Sequence, residues 1–315
     1  MTKRFFAHAL VLLALCAPSA EALAQEKPVS IRLSGISGFD NNVNLDSTRK
    51  GDFFFQETVS VGYRKLLTPA HNFRLSYDAA NLNYSDFTDQ NFLAQTFGTG
   101  LDVLLTEKTI LETQYSYTYA WYPSNRSVTY DEHFVRAGLR YKWSRDVQLK
   151  AGVGAAQQEF DDRKLRQAEG LLSEDAERKD KRGFADAEIG MKLFGKSYWR
   201  LGYAYVRNDS NDAFHDYYDY DAHRFSVSAS LQVIPKVATF VKVTYEDRGY
   251  DSRPLLLDDG TLESDGIYTT SLACFYNLRK DLALGAILSY RQKESNEPTQ
   301  RYSGSLYTLG LYYSF

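Results

Sequence analysis

The chain has 315 residues, with 37 Lys and Arg against 40 Asp and Glu and a formal net charge of −3. That balance leaves no polybasic surface, so no nucleic-acid partner is expected. Aromatic residues make up 15%, with 24 tyrosines against two methionines, a usage that suits the two interfacial girdles of a membrane barrel.

Lys3 and Arg4 precede an apolar run from Phe5 to Cys16, and Ala22-Leu23-Ala24 follows. This is the pattern of a secretory signal peptide over 1–24, cleaved before Gln25, with one barrel domain expected over 25–315. Leu15 stands where a lipoprotein signal would carry a small residue before an acylated Cys16. Past the signal the one remaining cysteine is Cys274, so no intramolecular disulfide is expected. No later apolar run reaches the ~18 residues that a spanning helix requires.

Fourteen segments of alternating hydrophobicity follow. They run over about 29–38, 53–64, 73–84, 92–105, 109–121, 133–143, 147–160, 184–194, 198–207, 224–233, 238–248, 267–278, 282–293 and 302–315. The fifth is the clearest: Leu111, Thr113, Tyr115, Tyr117, Tyr119 and Trp121 alternate with Glu112, Gln114, Ser116, Thr118 and Ala120. Successive strand side chains point to opposite faces, so one face is apolar and the other polar or small. The connections alternate between short turns, such as Ser144-Arg145-Asp146, and mostly longer segments rich in Asp, Asn and Ser. An even strand number with short turns on one side and longer loops on the other predicts an all-β, antiparallel, up-and-down outer-membrane barrel. Closure satisfies every backbone group in lipid. Trp121, Trp143 and Trp199 all fall at predicted strand ends, where amphipathic rings prefer to sit.

The polar face carries the candidate pore lining: Asp78, Asp102, Glu112, Arg136, Arg140, Lys150, Glu188, Arg200 and Arg224. Two readings fit these charges. An acidic wall on the third to fifth strands faces a basic wall on the sixth, seventh, ninth and tenth, or the charges pair and fill the lumen. Basic wall charges predict a mild anion preference. The segments 161–183 and 208–221 read as charged outer loops. The acids of the second match no metal loop, and neither a metal nor a cofactor is expected. His133 and His223 sit on the apolar phase near outer strand ends without a phase-matched serine, so no catalytic activity is expected.

The chain ends with Tyr307, Leu309, Leu311, Tyr313 and Phe315 in one phase. This resembles the C-terminal signature of outer-membrane β-barrels, which implies the barrel assembly machinery as a partner. Gly38-Phe39-Asp40-Asn41-Asn42-Val43-Asn44 resembles the G-Y-D-x-N-V element of a β-barrel porin group. It is also similar to the start of the barrel domain of surface lipoprotein assembly modifiers, which carry a helical repeat domain ahead of the barrel. The expected setting is the outer membrane of a Gram-negative bacterium, among its lipids and lipopolysaccharide. The expected function is a passive pore for small hydrophilic solutes. The alternative is an export conduit for polysaccharide or surface lipoprotein.

Overall fold

The computed structural model describes residues 28–315 apart from 168–169, 194–196, 215 and 257. The expected signal peptide, 1–24, and His215 lie outside the described residues. Fourteen strands close into one antiparallel barrel, each paired with its chain neighbours and β1 with β14. They are β1 Val29–Asp40, β2 Asp52–Thr68, β3 His71–Tyr84, β4 Phe92–Thr106, β5 Thr109–Trp121, β6 Tyr130–Lys142 and β7 Val147–Arg166. They continue as β8 Leu172–Leu193, β9 Ser197–Ser210, β10 Tyr220–Ile234, β11 Val237–Leu255, β12 Asp258–Asn277, β13 Leu282–Ser295 and β14 Tyr302–Ser314. No helix among the described residues is long and apolar enough to cross a membrane.

The alternation sorts side chains as expected. Val59, Leu139, Val227, Leu284 and Leu309 are exposed on the outer face, as a lipid-facing band requires. Tyr307, Leu309, Leu311 and Phe315 are exposed in the same phase. The Phe315 amide donates to the Ile31 carbonyl (2.9 Å) beside the β1–β14 seam. Glu57 falls in this outward phase, where a bulge would have excused it. The β1–β2 and β2–β3 ladders instead run through it unbroken. It lies five residues from the outer end of β2, where Asn81 on β3 donates to it (3.4 Å). Interfacial depth accounts for the carboxylate.

Two expected loops are sheet. The segment 161–183 is the upper part of a β7–β8 hairpin whose strands run 20 and 22 residues. β11 and β12 likewise rise to Leu255 and from Asp258, past register shifts at Pro254. The outer ends of these strands lie above the apolar band, so charged side chains are accommodated on their outward face. Cross-strand pairs Lys179–Glu159 (2.7 Å) and Lys164–Glu177 (3.6 Å) replace hydrophobic ones.

Candidate lumen site

The interior has two levels. In the middle of the barrel, Gly98 and Gly100 of β4, Gly138 of β6 and Gly152 and Gly154 of β7 face inward. Without Cβ atoms these strands leave a recess, and guanidinium groups lie flat in it. A Cβ on Gly152 would sit 2.6 Å from Arg136 Nη2, and one on Gly100 3.0 Å from Arg74 Nη2. Arg136 of β6 thereby reaches across β7 to Asp186 of β8, with bonds of 3.1 and 2.7 Å from Nε and Nη2. Arg74 donates to Asp102 (2.7 Å), and Arg140 lies 2.9 Å from Glu112. A polar cavity of about 180 Å³ remains among Arg74, Glu112, Thr113, Gln114, Arg136 and Lys150.

Of the expected pore-lining residues, Asp102, Glu112, Arg136, Arg140 and Arg224 are therefore paired with opposite charges. Glu246 takes Arg224 at 2.6 Å and Arg248 at 2.5 Å. Like charges do meet across adjacent strands, Asp102 beside Glu112 and Arg140 beside Lys150, yet Arg74 among the acids of β3–β5 and Asp186 beyond the bases of β6 and β7 break up two opposed walls, and most of these charges are held in pairs. Asp78, Lys150 and Glu188 share the inward face and make no ion pair among the described residues. Arg200 lies 5.2 Å from the Tyr198 ring.

The outer level is packed. Arg178 is bound to Asp180 and sits 3.3 Å from the Tyr218 ring and 5.0 Å from Phe160. Arg253 donates to Glu263 (2.6 Å) and covers the Tyr217 and Tyr250 rings at 4.0 and 4.6 Å. Lys293 reaches Asp265 (2.6 Å) and Glu263 (3.6 Å). Arg178, Asp180, Arg253, Glu263, Asp265 and Lys293 are all less than 9% exposed. Buried charge is tolerable only when paired in this way. The layer continues through Val43, Phe54, Leu82 and Tyr84, then Ala120, Tyr122, Tyr130 and Phe160, joined by Phe92. The β9–β10 loop, 211–219, brings the keystone: Tyr217 and Tyr218 reach arginines of β7, β8 and β11. Asp212 accepts from Arg166 (3.0 Å). In the same loop Asp219 accepts the Ser210 amide (2.7 Å), yet burial pushes its carboxyl up to about 6. Asp209, Asp216 and Asp251 add to that rise.

Sequence reading missed Arg74 and the Glu246, Glu263 and Asp265 set. Arg74 is in phase with Ser76 and Asp78 and was open to the same alternation argument. Glu246 falls within the segment 238–248 read as strand and was open to it as well, whereas Glu263 and Asp265 lie on a strand end read as loop, where phase had no anchor.

On the outer face His133 and His223 occupy matching places. Each Nδ1 meets a tyrosine hydroxyl, Tyr115 at 2.9 Å and Tyr203 at 2.8 Å. The Tyr117 and Tyr205 rings pack at 5.1 and 5.4 Å. They sit as members of the outer aromatic girdle. Among the described residues no cluster of three or more potential ligands could hold a metal ion.

Closed topology, apolar outer band and polar interior define an outer-membrane β-barrel. The surface lipoprotein assembly modifier family matches residues 53–233, more than half of the chain, and the chain belongs to that family. No curated protein matches it. Among solved structures it is similar to the outer membrane channel DcaP of Acinetobacter baumannii, at 10% identity and TM-score 0.54 over 91% of this chain and 96% of that one. It is also similar to OmpT, an outer membrane protein of Vibrio cholerae (9%, TM-score 0.51, 94% and 100% covered). An outer membrane channel from Pseudomonas putida F1 gives 11% and 0.50 over 95% and 100%. At such identities the likeness is one of fold.

Proposed function

We propose that this barrel works from its periplasmic side as a conduit in the delivery of a surface lipoprotein, without catalysis of its own. The observation that carries this reading is the packed outer level. Its charges are paired and its rings packed together at the mouth, which obstructs free diffusion of solute, whereas the middle level keeps a polar cavity. A mouth of this kind favours traffic that opens it over a standing pore. Family membership supports the cargo class. The test is protease shaving of intact cells with and without the gene. One or a few lipoproteins should lose surface exposure while their total amount holds. An unchanged shaving pattern overturns the reading. The polar, glycine-rich middle level favours a second reading, a passive pore for small hydrophilic solutes. Swelling of barrel-containing liposomes in small sugars at the rate of an open porin would select it.

A further inference from the structure

The middle-level cavity has more donors than its own acids use. Arg74, Arg136 and Lys150 line it with Gln114 and Glu112, and Arg140 pairs with Glu112 at its edge. Asp102, Asp186 and Glu112 occupy the three arginines. Lys150 makes no ion pair among the described residues, although Arg140 and Glu188 are its cross-strand neighbours. Arg74 Nε is buried without a hydrogen-bond partner. An ammonium, an amide and two guanidinium groups thus border one hollow, whose floor is set back by Gly100 and Gly152. Its volume, about 180 Å³, is well above the ~10–15 Å³ that a single ordered water needs. That is room for a phosphate or a small carboxylate with part of its hydration.

We propose that this cavity is an anion-binding site for a phosphate or carboxylate group, with Lys150 as the charge that admits it and Arg74 and Gln114 as orienting donors. Neutral pairs on three sides keep the site from being a general cation patch. The bound anion supplies the direct contact that Lys150 does not make with its cross-strand neighbour Glu188. This assignment is independent of the export reading, because it concerns equilibrium binding to the wall.

The test uses the full mature barrel in detergent micelles, its folding verified by heat-modifiable mobility, titrated calorimetrically with inorganic phosphate and separately with acetate. Saturable binding of at least one of them at one site is expected, and their relative affinities identify the group. Lys150→Gln should weaken binding about tenfold or more, the loss expected when a charge-assisted contact is removed. Lys150→Arg should restore most of it. Arg200→Gln, which removes another inward cation outside the cavity, should leave binding unchanged. Equal weakening by Arg200→Gln would reduce the effect to the general field of the lumen and overturn the site. Absence of saturable binding of both anions to the folded barrel would overturn it as well.

Discussion

Gly154 and Gly183 lie one residue pair apart in the β7–β8 ladder yet have opposite surroundings. A Cβ on inward Gly154 would collide with the Phe184 ring and stand 2.5 Å from the Val135 carbonyl. Phe184 is itself stacked on Phe134 at 5.5 Å. Outward Gly183 meets nothing within 4 Å. Gly154→Ala should therefore destabilise the barrel by about 1–3 kcal/mol through overpacking, while Gly183→Ala should cost little. Urea unfolding in lipid vesicles compares the two, and equal losses would remove the Phe184 contact as the reason. Asp219 gives a second prediction at this scale. Its folded value of about 6 lies above the ordinary 3.8, so the folded loop holds the proton more tightly than an unfolded one. Protonation thus stabilises the loop, fully at low pH, and that gain is lost as pH rises through about 6. Protease nicking within 211–219 should be faster at pH 7.5 than at pH 5. Asp219→Asn keeps the acceptor for the Ser210 amide and should flatten the difference. A pH step that survives in the variant would belong to another group.

At the scale of elements, strands inside the apolar band were legible and their extensions were not. The phase of β5 or β14 shows because one face must be lipid-soluble. In β7 the residues Asp161, Asp162, Arg163 and Lys164 have no such constraint, and nothing in their order distinguishes a strand from a solvated loop. The lumen face was legible for the same reason that β5 was, since Asp102, Glu112 and Arg136 fall in the polar phase. Their partners were not, because a contact such as Arg136 to Asp186 depends on register and on the missing Cβ of Gly152. β14 carries the prediction for this scale. Leu309 is outward near its middle, opposite Ala286 and Ser37. Leu309→Arg should cost roughly 2–4 kcal/mol at the bilayer midplane, read by denaturant midpoint in vesicles. Deletion of Phe315 should lower the heat-modifiable fraction in cells by impairing assembly. A normal fraction would deprive the C-terminal phase of that role.

For the whole molecule, the question is what crosses the mouth. The packed outer level predicts small, infrequent conductance events for the wild type in planar bilayers. Tyr217→Ala with Tyr218→Ala removes the rings that Arg166, Arg178 and Arg253 cover. That double variant should raise conductance several-fold while leaving the β7–β12 ladders intact. A large steady wild-type conductance would place the permeation path elsewhere than under this loop. Because wall charges are mostly paired, ion preference should be weak, and charges beyond a Debye length of about 8 Å contribute little to it.

The barrel is also lopsided. β7 has 20 residues against 13 in β6, and the excess amounts to about 15–20 Å of height at ~3.3 Å per residue and ~40° tilt. This tall side stands farthest out from the membrane. It carries no lipid contact, so its sequence is free to drift, subject to one rule: the ladder there is held by charge. Among related strains, exchange at 159 should be matched by the opposite exchange at 179, and 164 by 177. Variation on this crown would then proceed by paired substitutions, with the membrane band beneath it unchanged.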